Sequence, residues 1–267
     1  MAGGAARALD RSPETPATLV SHAEPAIRSI QMNGFVATMP AVYERLYSAN
    51  EMAEHAGIVS RRGTSPIHAE MWLSAKQPLL CVVAEDRPGL LALVTDALLA
   101  QGMAIQSARA FCRQVAKDRQ EAVDFLELRV LGAHDHGGAQ LDADKLPAFV
   151  QSLGQLLAKD KDVPPSAPRA KAESTTRVYF ERDSPADGRY LLVVDAPDSE
   201  GLLHAISSAL HAHSMRIIAC EIRTVGGRAL DRFEVEPASP RFLGDSELCD
   251  IQLAVLDALR ASTTVSS

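Results

Sequence analysis

From Phe35 onward the apolar positions of the chain fall into short, recognisable periods. Two unbroken apolar runs, 79–84 and 190–195, have strand length and predict buried strands. Each is followed by apolar residues at i, i+4 and i+8, which form one stripe of a helix: Leu90, Val94 and Leu98, then Leu202, Ile206 and Leu210. Next come segments that predict hairpins, 104–113 with 121–130 and 216–224 with 228–235. The second hairpin turns at Val225-Gly226-Gly227-Arg228, where paired glycines tolerate positive φ. A further amphipathic helix closes each series. The first carries Leu146, Phe149, Val150, Leu153, Leu156 and Leu157; the second carries Leu248, Ile251, Val255, Leu256 and Leu259.

The two series are copies of one β-α-β-β-α unit. An offset of 112 aligns Asp86 with Asp198, Gly89 with Gly201, Leu98 with Leu210, Met103 with Met215 and Ile105 with Ile217. After a longer first hairpin, Ala122-Val123-Asp124 matches Ala229-Leu230-Asp231. One more strand completes each unit as a ferredoxin-like βαββαβ fold. Two alternating segments are available, 67–72 before the first copy and 176–181 before the second. The second copy has no strand after its last helix, so the expected arrangement is an exchange: 176–181 completes the first sheet and 67–72 the second. The predicted class is therefore α+β, two ferredoxin-like modules in tandem that exchange edge strands, with a short helical lead. In that lead one helix runs over 39–47 with Pro40 in its first turn. A second is capped by Asn50, carries Met52, Ala53, Ala56, Ile58 and Val59, and ends at Arg61-Arg62-Gly63. Both are too short to stand alone and are expected to pack on the first module. The domain reading is a disordered tail 1–34, lead 35–66, first module 67–160, Pro-rich linker 161–175 and second module 176–262.

Composition narrows the possibilities. A length of 267 residues suits roughly two domains. Hydrophobic residues make up 46% and aromatics only 4%, so the cores rest on Leu, Val, Ile and Ala. A net charge of -7 argues against a broad nucleic-acid surface. No apolar run reaches the ~20 residues needed to cross a bilayer, and the N-terminus lacks the apolar centre of a secretion signal. Cys81, Cys112, Cys220 and Cys249 show no metal-ligand spacing, and three sit in apolar runs as small hydrophobes. The expectation is a cytoplasmic protein with no cofactor, no bound metal and no nucleic-acid or membrane partner. The dense cluster His134-Asp135-His136 reads as a solvated loop, because three adjacent residues cannot all face one metal. His204, His211 and His213 read as rim or surface residues. Asp124 and Asp231 are matched by the repeat, which explains them without catalysis.

The strongest local signal is Asp86-Arg87-Pro88-Gly89-Leu90 at a strand-to-helix turn. Asp86 is positioned to cap the helix, Pro88 fits its first turn, and Gly89 allows close approach to the backbone. Free N–H groups at a helix start favour a carboxylate, and a nearby Asp86 suits an ammonium; together they match the two ends of a free amino acid. A plain N-cap with a packing glycine is the competing account of the same five residues.

With the repeat added, the sequence resembles the ACT domain family: strand, Asp-x-Pro-Gly-Leu turn, helix, an Ile-bearing strand, and a strand carrying an Asp-aromatic pair. The residues that carry this are Asp86 to Leu90, Gly102-Met103-Ala104-Ile105 and Val123-Asp124-Phe125, then Asp195 to Leu203 and Arg228 to Phe233. More narrowly, the pair is similar to the C-terminal tandem found in the bifunctional protein-PII uridylyltransferase/uridylyl-removing family, through Arg177-Val178-Tyr179-Phe180, Val193 to Asp198, Met39-Pro40-x-x-Tyr43 and His55. This resemblance spans roughly 36–262. It implies an amino acid, glutamine favoured, bound at the turn as a signal of nitrogen status. Its contacts would be Asp86, Arg87, Pro88, Gly89 and Leu90 in one copy and Asp198, Ser199, Gly201 and Leu202 in the other. The starts of the next strands, Ile105 with Gln106 and Ile217 with Ile218, line the other side. Two departures stand out: Glu200 where the family has Pro, and Ala104 and Arg216 where many members have a polar Asn or Asp. The first site is therefore favoured over the second. The family's catalytic modules have no counterpart here, since no Gly-Ser turn with spaced aspartates precedes residue 75. The sequence reads as a regulatory amino-acid sensor that is not an enzyme, acting as a homodimer or on a protein partner. The alternative is an ACT scaffold that binds other proteins and no ligand.

Overall fold

The structure, a computed structural model, describes residues 31–117, 119–131, 141–142, 144–159, 175–181, 188–199 and 201–260. The His134–His136 cluster, Glu200, most of the Pro-rich linker and most of the N-terminal tail lie outside the described residues. The protein is α+β, built on one large antiparallel sheet. After a 3-10 turn at Tyr43–Arg45 come α1 (Ala49–Arg61), β1 (Ile67–Trp72), β2 (Leu79–Glu85), α2 (Leu90–Leu99), β3 (Met103–Ala116), β4 (Arg119–Val130) and α3 (Lys145–Ala158). The second half repeats this order with β5 (Arg177–Phe180), β6 (Tyr190–Pro197), α4 (Leu202–Ala212), β7 (Met215–Ile222), β9 (Arg228–Pro237) and α5 (Asp245–Arg260). A two-residue β8 (Thr224–Val225) pairs only with β9. Between them Gly226 and Gly227, both at positive φ (59° and 75°), make the tight hairpin turn their sequence predicts.

The strand order β1-β2-β4-β3-β7-β9-β6-β5 corrects the expected exchange of edge strands. β1 lies on β2, with Ile67 opposite Ala84 and Trp72 opposite Leu79. β5 lies on β6, with Arg177 opposite Asp195 and Phe180 opposite Leu192. Each edge strand stays in its own half because a short connection brings it antiparallel onto the next strand, whereas an exchange needs a long crossing connection. The halves join instead edge to edge through β3 and β7.

That seam has an internal symmetry. Ala108 pairs Ile222, Arg109 pairs Glu221, Ala110 pairs Cys220 and Phe111 pairs Ala219. Under the offset of 112, position 109 corresponds to 221, so Arg109 meets its own counterpart. In a perfect repeat two like charges would oppose there; here an ion pair of 3.6 Å forms instead. Arg109→Glu is expected to cost ~0.2–1 kcal/mol, as like charges directly opposite do, with Arg109→Glu/Glu221→Arg restoring stability. Urea melts of the two variants decide it, and equal losses in both would exclude the pairing as the cause.

The helices α2, α3, α4 and α5 cover one face. Leu98, Leu128, Phe149 and Leu153 are buried in the first half, and Leu192, Ile206, Phe233 and Val255 in the second, as parts of one continuous core. The lead covers the opposite face of the first half only, through Phe35, Met39, Tyr43, Tyr47, Ile58 and Val59 against Val83, Phe111, Val123 and Phe125. It thus packs on the first module, as its shortness requires. Two details differ from expectation. The 39–47 helix is only a 3-10 turn, with Tyr43 N–H donating to Pro40 O (2.9 Å) and Leu46 N–H to Tyr43 O (3.0 Å); a segment this short has no helical cooperativity to resist the tighter bonds. And α1 is capped by Ser48, not Asn50: Ser48-Ala49-Asn50-Glu51 forms a reciprocal capping box, with Ser48 N–H donating to Glu51 Oε2 (2.7 Å). The lead is clamped to the sheet by Glu121, a buried carboxylate held by Arg62 (2.6 Å) and Arg113 (2.5 Å).

Candidate functional site: two cavities on the seam

Each strand-to-helix turn ends on a glycine in the left-handed region, Gly89 (φ 80°) and Gly201 (φ 81°). These glycines, rather than aspartates, are the N-caps of α2 and α4, and neither helix has a side-chain cap. The expectation that Asp86 caps its helix and Pro88 sits in the first turn is corrected accordingly. The reversal at Gly89 starts the helix at Leu90 and leaves both residues upstream. A side chain at 89 is excluded twice, by the positive φ and by the His211 ring, 3.1 Å from where a Cβ would stand. Leu90 N–H donates to Arg87 O (3.1 Å), while the N–H groups of Leu91 and Ala92 have no acceptor among the described residues.

Two cavities lie along the β3–β7 seam, related by the repeat and each built from both halves. The first gathers Asp86, Arg87, Pro88, Gly89 and Leu90 with Asp124 of its own half, and with Ser207, Arg216 and Ile217 of the other. The second gathers Asp198, Ser199, Gly201 and Leu202 with Asp231, and with Thr95, Ile105, Gln106 and Arg129 of the first half. The sequence groups are thereby brought together with the strand starts crossed over: Ile217 faces the Asp86 turn, and Ile105 with Gln106 faces the Asp198 turn. Ile218 is buried but lines neither cavity. The space is small, about 40 Å³ in the first cavity and about 30 Å³ in the second, enough for a few waters at ~10–15 Å³ each.

The cavities differ in charge. In the first, Arg216 from the start of β7 reaches across the seam to Asp86 Oδ2 (2.5 Å), Gln120 Oε1 and Glu236 (3.5 Å). Cys112 Sγ–H also donates to Asp86 Oδ2 (3.3 Å). The position equivalent to Arg216 in the second cavity is Ala104, so no long side chain reaches into that corner. There Arg129 lies 3.7 Å from Asp198, and its buried Nε has no partner among the described residues.

Asp124 and Asp231 form the floors, one in each cavity. Both are buried, and burial raises each carboxyl to about 8; Asp86 adds to this for Asp124. For Asp231 burial is partly opposed by the Arg223 N–H (3.3 Å) and reinforced by Asp198. Asp231 Oδ2 has no hydrogen-bond partner among the described residues. A polar group so placed is costly unless something else satisfies it.

Sequence reasoning sets these two aspartates aside as by-products of the repeat, and it misses Arg129 entirely. The available signal is a charged residue inside each of two otherwise apolar strand faces. His204, expected at the rim, is 2% exposed. It sits where α2 and α4 cross the seam, with Nδ1 3.3 Å from Thr95 Oγ1 and from Ala92 O and 3.5 Å from Asp96. His213 is exposed beyond the helix end, and His211 packs on Gly89. Cys81, Cys112 and Cys220 are free and buried, and Cys249 is exposed. Among the described residues no helix is long and apolar enough to cross a membrane, and no cluster has the makings of a metal site.

No family model matches the chain, and no solved structure matches it. Curated relatives do. The chain is 25% identical over 235 residues to the bifunctional uridylyltransferase/uridylyl-removing enzyme of Chromobacterium violaceum, covering 85% of this chain and 26% of that enzyme. Against the enzyme of the same name from Gluconobacter oxydans it is 27% identical over 203 residues, 71% of this chain and 20% of the relative. Against that of Cupriavidus pinatubonensis it is 30% identical over 179 residues, 65% and 20%. The chain spans about a quarter or less of the length of these relatives, and over most of its own length it is similar to bifunctional uridylyltransferase/uridylyl-removing enzymes.

Proposed function

We propose that this chain is an amino-acid-binding regulatory protein, built as two ferredoxin-like ACT modules and responding to glutamine or a related amino acid in nitrogen control. It carries no catalytic module of its own under this reading, and uridylyl transfer to a PII protein is not expected of it. The observation that carries the proposal is the second cavity. Arg129 and the start of α4 offer positive charge to a carboxylate, while Asp198 and the unpartnered Oδ2 of Asp231 offer acceptors to an ammonium. Sequence alone favours the first cavity; the charges favour the second. The similarity to uridylyltransferase/uridylyl-removing enzymes supports a regulatory setting.

A free amino acid is larger than either cavity, so it enters only if the turn before α4 moves away from the start of β3. Those elements belong to different halves. Binding is therefore coupled to the geometry of the seam, and a ligand that prefers the opened seam shifts the population toward it. Thermal melting against a panel of amino acids tests this. Glutamine at a hundred times its dissociation constant is expected to stabilise by ~2.7 kcal/mol, and the effect is expected to vanish in Arg129→Met. A flat response to every amino acid favours the second reading, a scaffold that pairs with proteins and binds no ligand. The tightness of both cavities is the observation on that side.

A further inference from the structure

We infer that the first cavity is a cation site for a guanidinium group, already filled from within by Arg216, so that the chain carries its own occupant there. Three features support this. First, the acceptors converge on one point: Asp86 Oδ2 at 2.5 Å, Gln120 Oε1, and Glu236 at 3.5 Å, contributed by β2's end, β4 and β9. A planar fork of donors is matched to several oxygens in this way, whereas an isolated surface pair is not. Second, the donor and most of the acceptors come from different halves. Arg216 is on β7 and Asp86 and Gln120 belong to the first half, so the contact closes the seam as a bound ligand would. Third, the repeat shows the same corner without an arginine: Ala104 stands at the equivalent position of the second cavity, and polar atoms of Arg129 and Asp231 nearby are left without partners among the described residues.

The charge balance agrees. Burial works against a charged Arg216, yet its bonds to Asp86 and the fields of Asp86 and Glu236 prevail and hold it more firmly protonated than usual. The internal occupant also accounts for an imbalance between the turns. Asp86 is satisfied by Arg216 and Cys112, so it has nothing to offer an ammonium, while Asp198 holds Arg129 only at 3.7 Å.

The inference stands apart from the amino-acid reading and is tested without any amino acid. Arg216→Ala, with the rest of the chain intact, opens a space of guanidinium shape facing Asp86. Methylguanidinium at millimolar concentration is expected to raise the melting temperature of Arg216→Ala, by a constant increment for each tenfold increase once the site is saturated. Methylurea, its neutral isostere, is expected to do nothing. Wild type and Arg216→Ala/Asp86→Asn are expected to show no response to either. An equal response in wild type, an equal response to methylurea, or no response in a cooperatively folding Arg216→Ala overturns the assignment. Should Arg216→Ala fail to fold alone, the readout becomes recovery of folded protein on refolding with methylguanidinium against methylurea. Recovery with the cation alone supports the site, and recovery with neither or with both overturns it. A failed glutamine response would sink the sensing proposal and leave this one standing.

Discussion

Asp231→Asn is expected to raise the stability of the protein at pH 8 and to leave it nearly unchanged at pH 4. The sign comes from the raised carboxyl. In the unfolded chain an aspartate titrates near ~3.9; in the fold burial holds Asp231 at about 8. Between these values the folded state binds a proton that the unfolded state has lost. Wild-type stability therefore falls as pH rises through that window, by on the order of 1.4 kcal/mol per pH unit, and the loss is complete above the folded value. Below about pH 4 both states are protonated and the penalty is absent. Asparagine removes the titration and keeps the shape, so the difference between variant and wild type should grow steadily from pH 4 to pH 8. Asp124, held at about 8 in the other cavity, stays in both proteins and cancels. Urea denaturation at intervals of one pH unit reads the difference, and parallel curves would show that Asp231 is paired or hydrated in solution. The same variant bears on function, because an ammonium brought to Oδ2 favours the ionised form and must release a proton.

Phe125→Ala is expected to cost about 3–5 kcal/mol, the range for deleting a buried ring. Phe125 is the point where the lead meets the sheet. Its ring lies 4.2 Å from His55, 5.5 Å from Tyr47, 5.8 Å from Trp72 and 6.3 Å from Phe111. His55 is held neutral there, its imidazole pushed down to about 3 by burial against a small opposing effect of Glu51. A hydrogen bond of 2.6 Å joins its Nδ1 to Tyr43 Oη. Truncating Phe125 leaves this polar pair beside a void. Trp72 is the single tryptophan of the chain and donates from Nε1 to Glu54 (2.5 Å), so its fluorescence reports undocking of the lead directly. A loss below ~1 kcal/mol with an unchanged emission spectrum would mean the lead does not depend on this contact.

Much of the architecture is legible without coordinates. The period of Leu202, Ile206 and Leu210 requires a helix with one buried face, and all three are buried. Gly226-Gly227 requires a tight hairpin, and the local backbone satisfies it without reference to anything distant. These are statements about neighbours in the chain, where side-chain volume and backbone freedom act over a few residues. The capping box at Ser48 belongs to the same class, since Ser48 and Glu51 stand three residues apart, although Asn50 competes with it as a cap.

What the chain cannot declare locally is which surfaces meet. The position of an edge strand depends on whichever partner the connection can reach, so Ile67–Trp72 and Arg177–Phe180 can be recognised as strands but not assigned a neighbour. The candidate site shows the same division. Asp86, Gly89, Asp198 and Gly201 announce two turns through their spacing, but which of them is free depends on Arg216, which lies 130 residues from Asp86. Arg129 and Asp231 give no sign of their role because nothing near them in sequence touches what they touch in space. The sequence by itself determined periodicity, turn chemistry and the doubling of the unit, since these arise from contacts within a few residues. Only the tertiary structure decided that the halves join through β3 and β7, because charge and shape complementarity across a seam exist only once both sides are present.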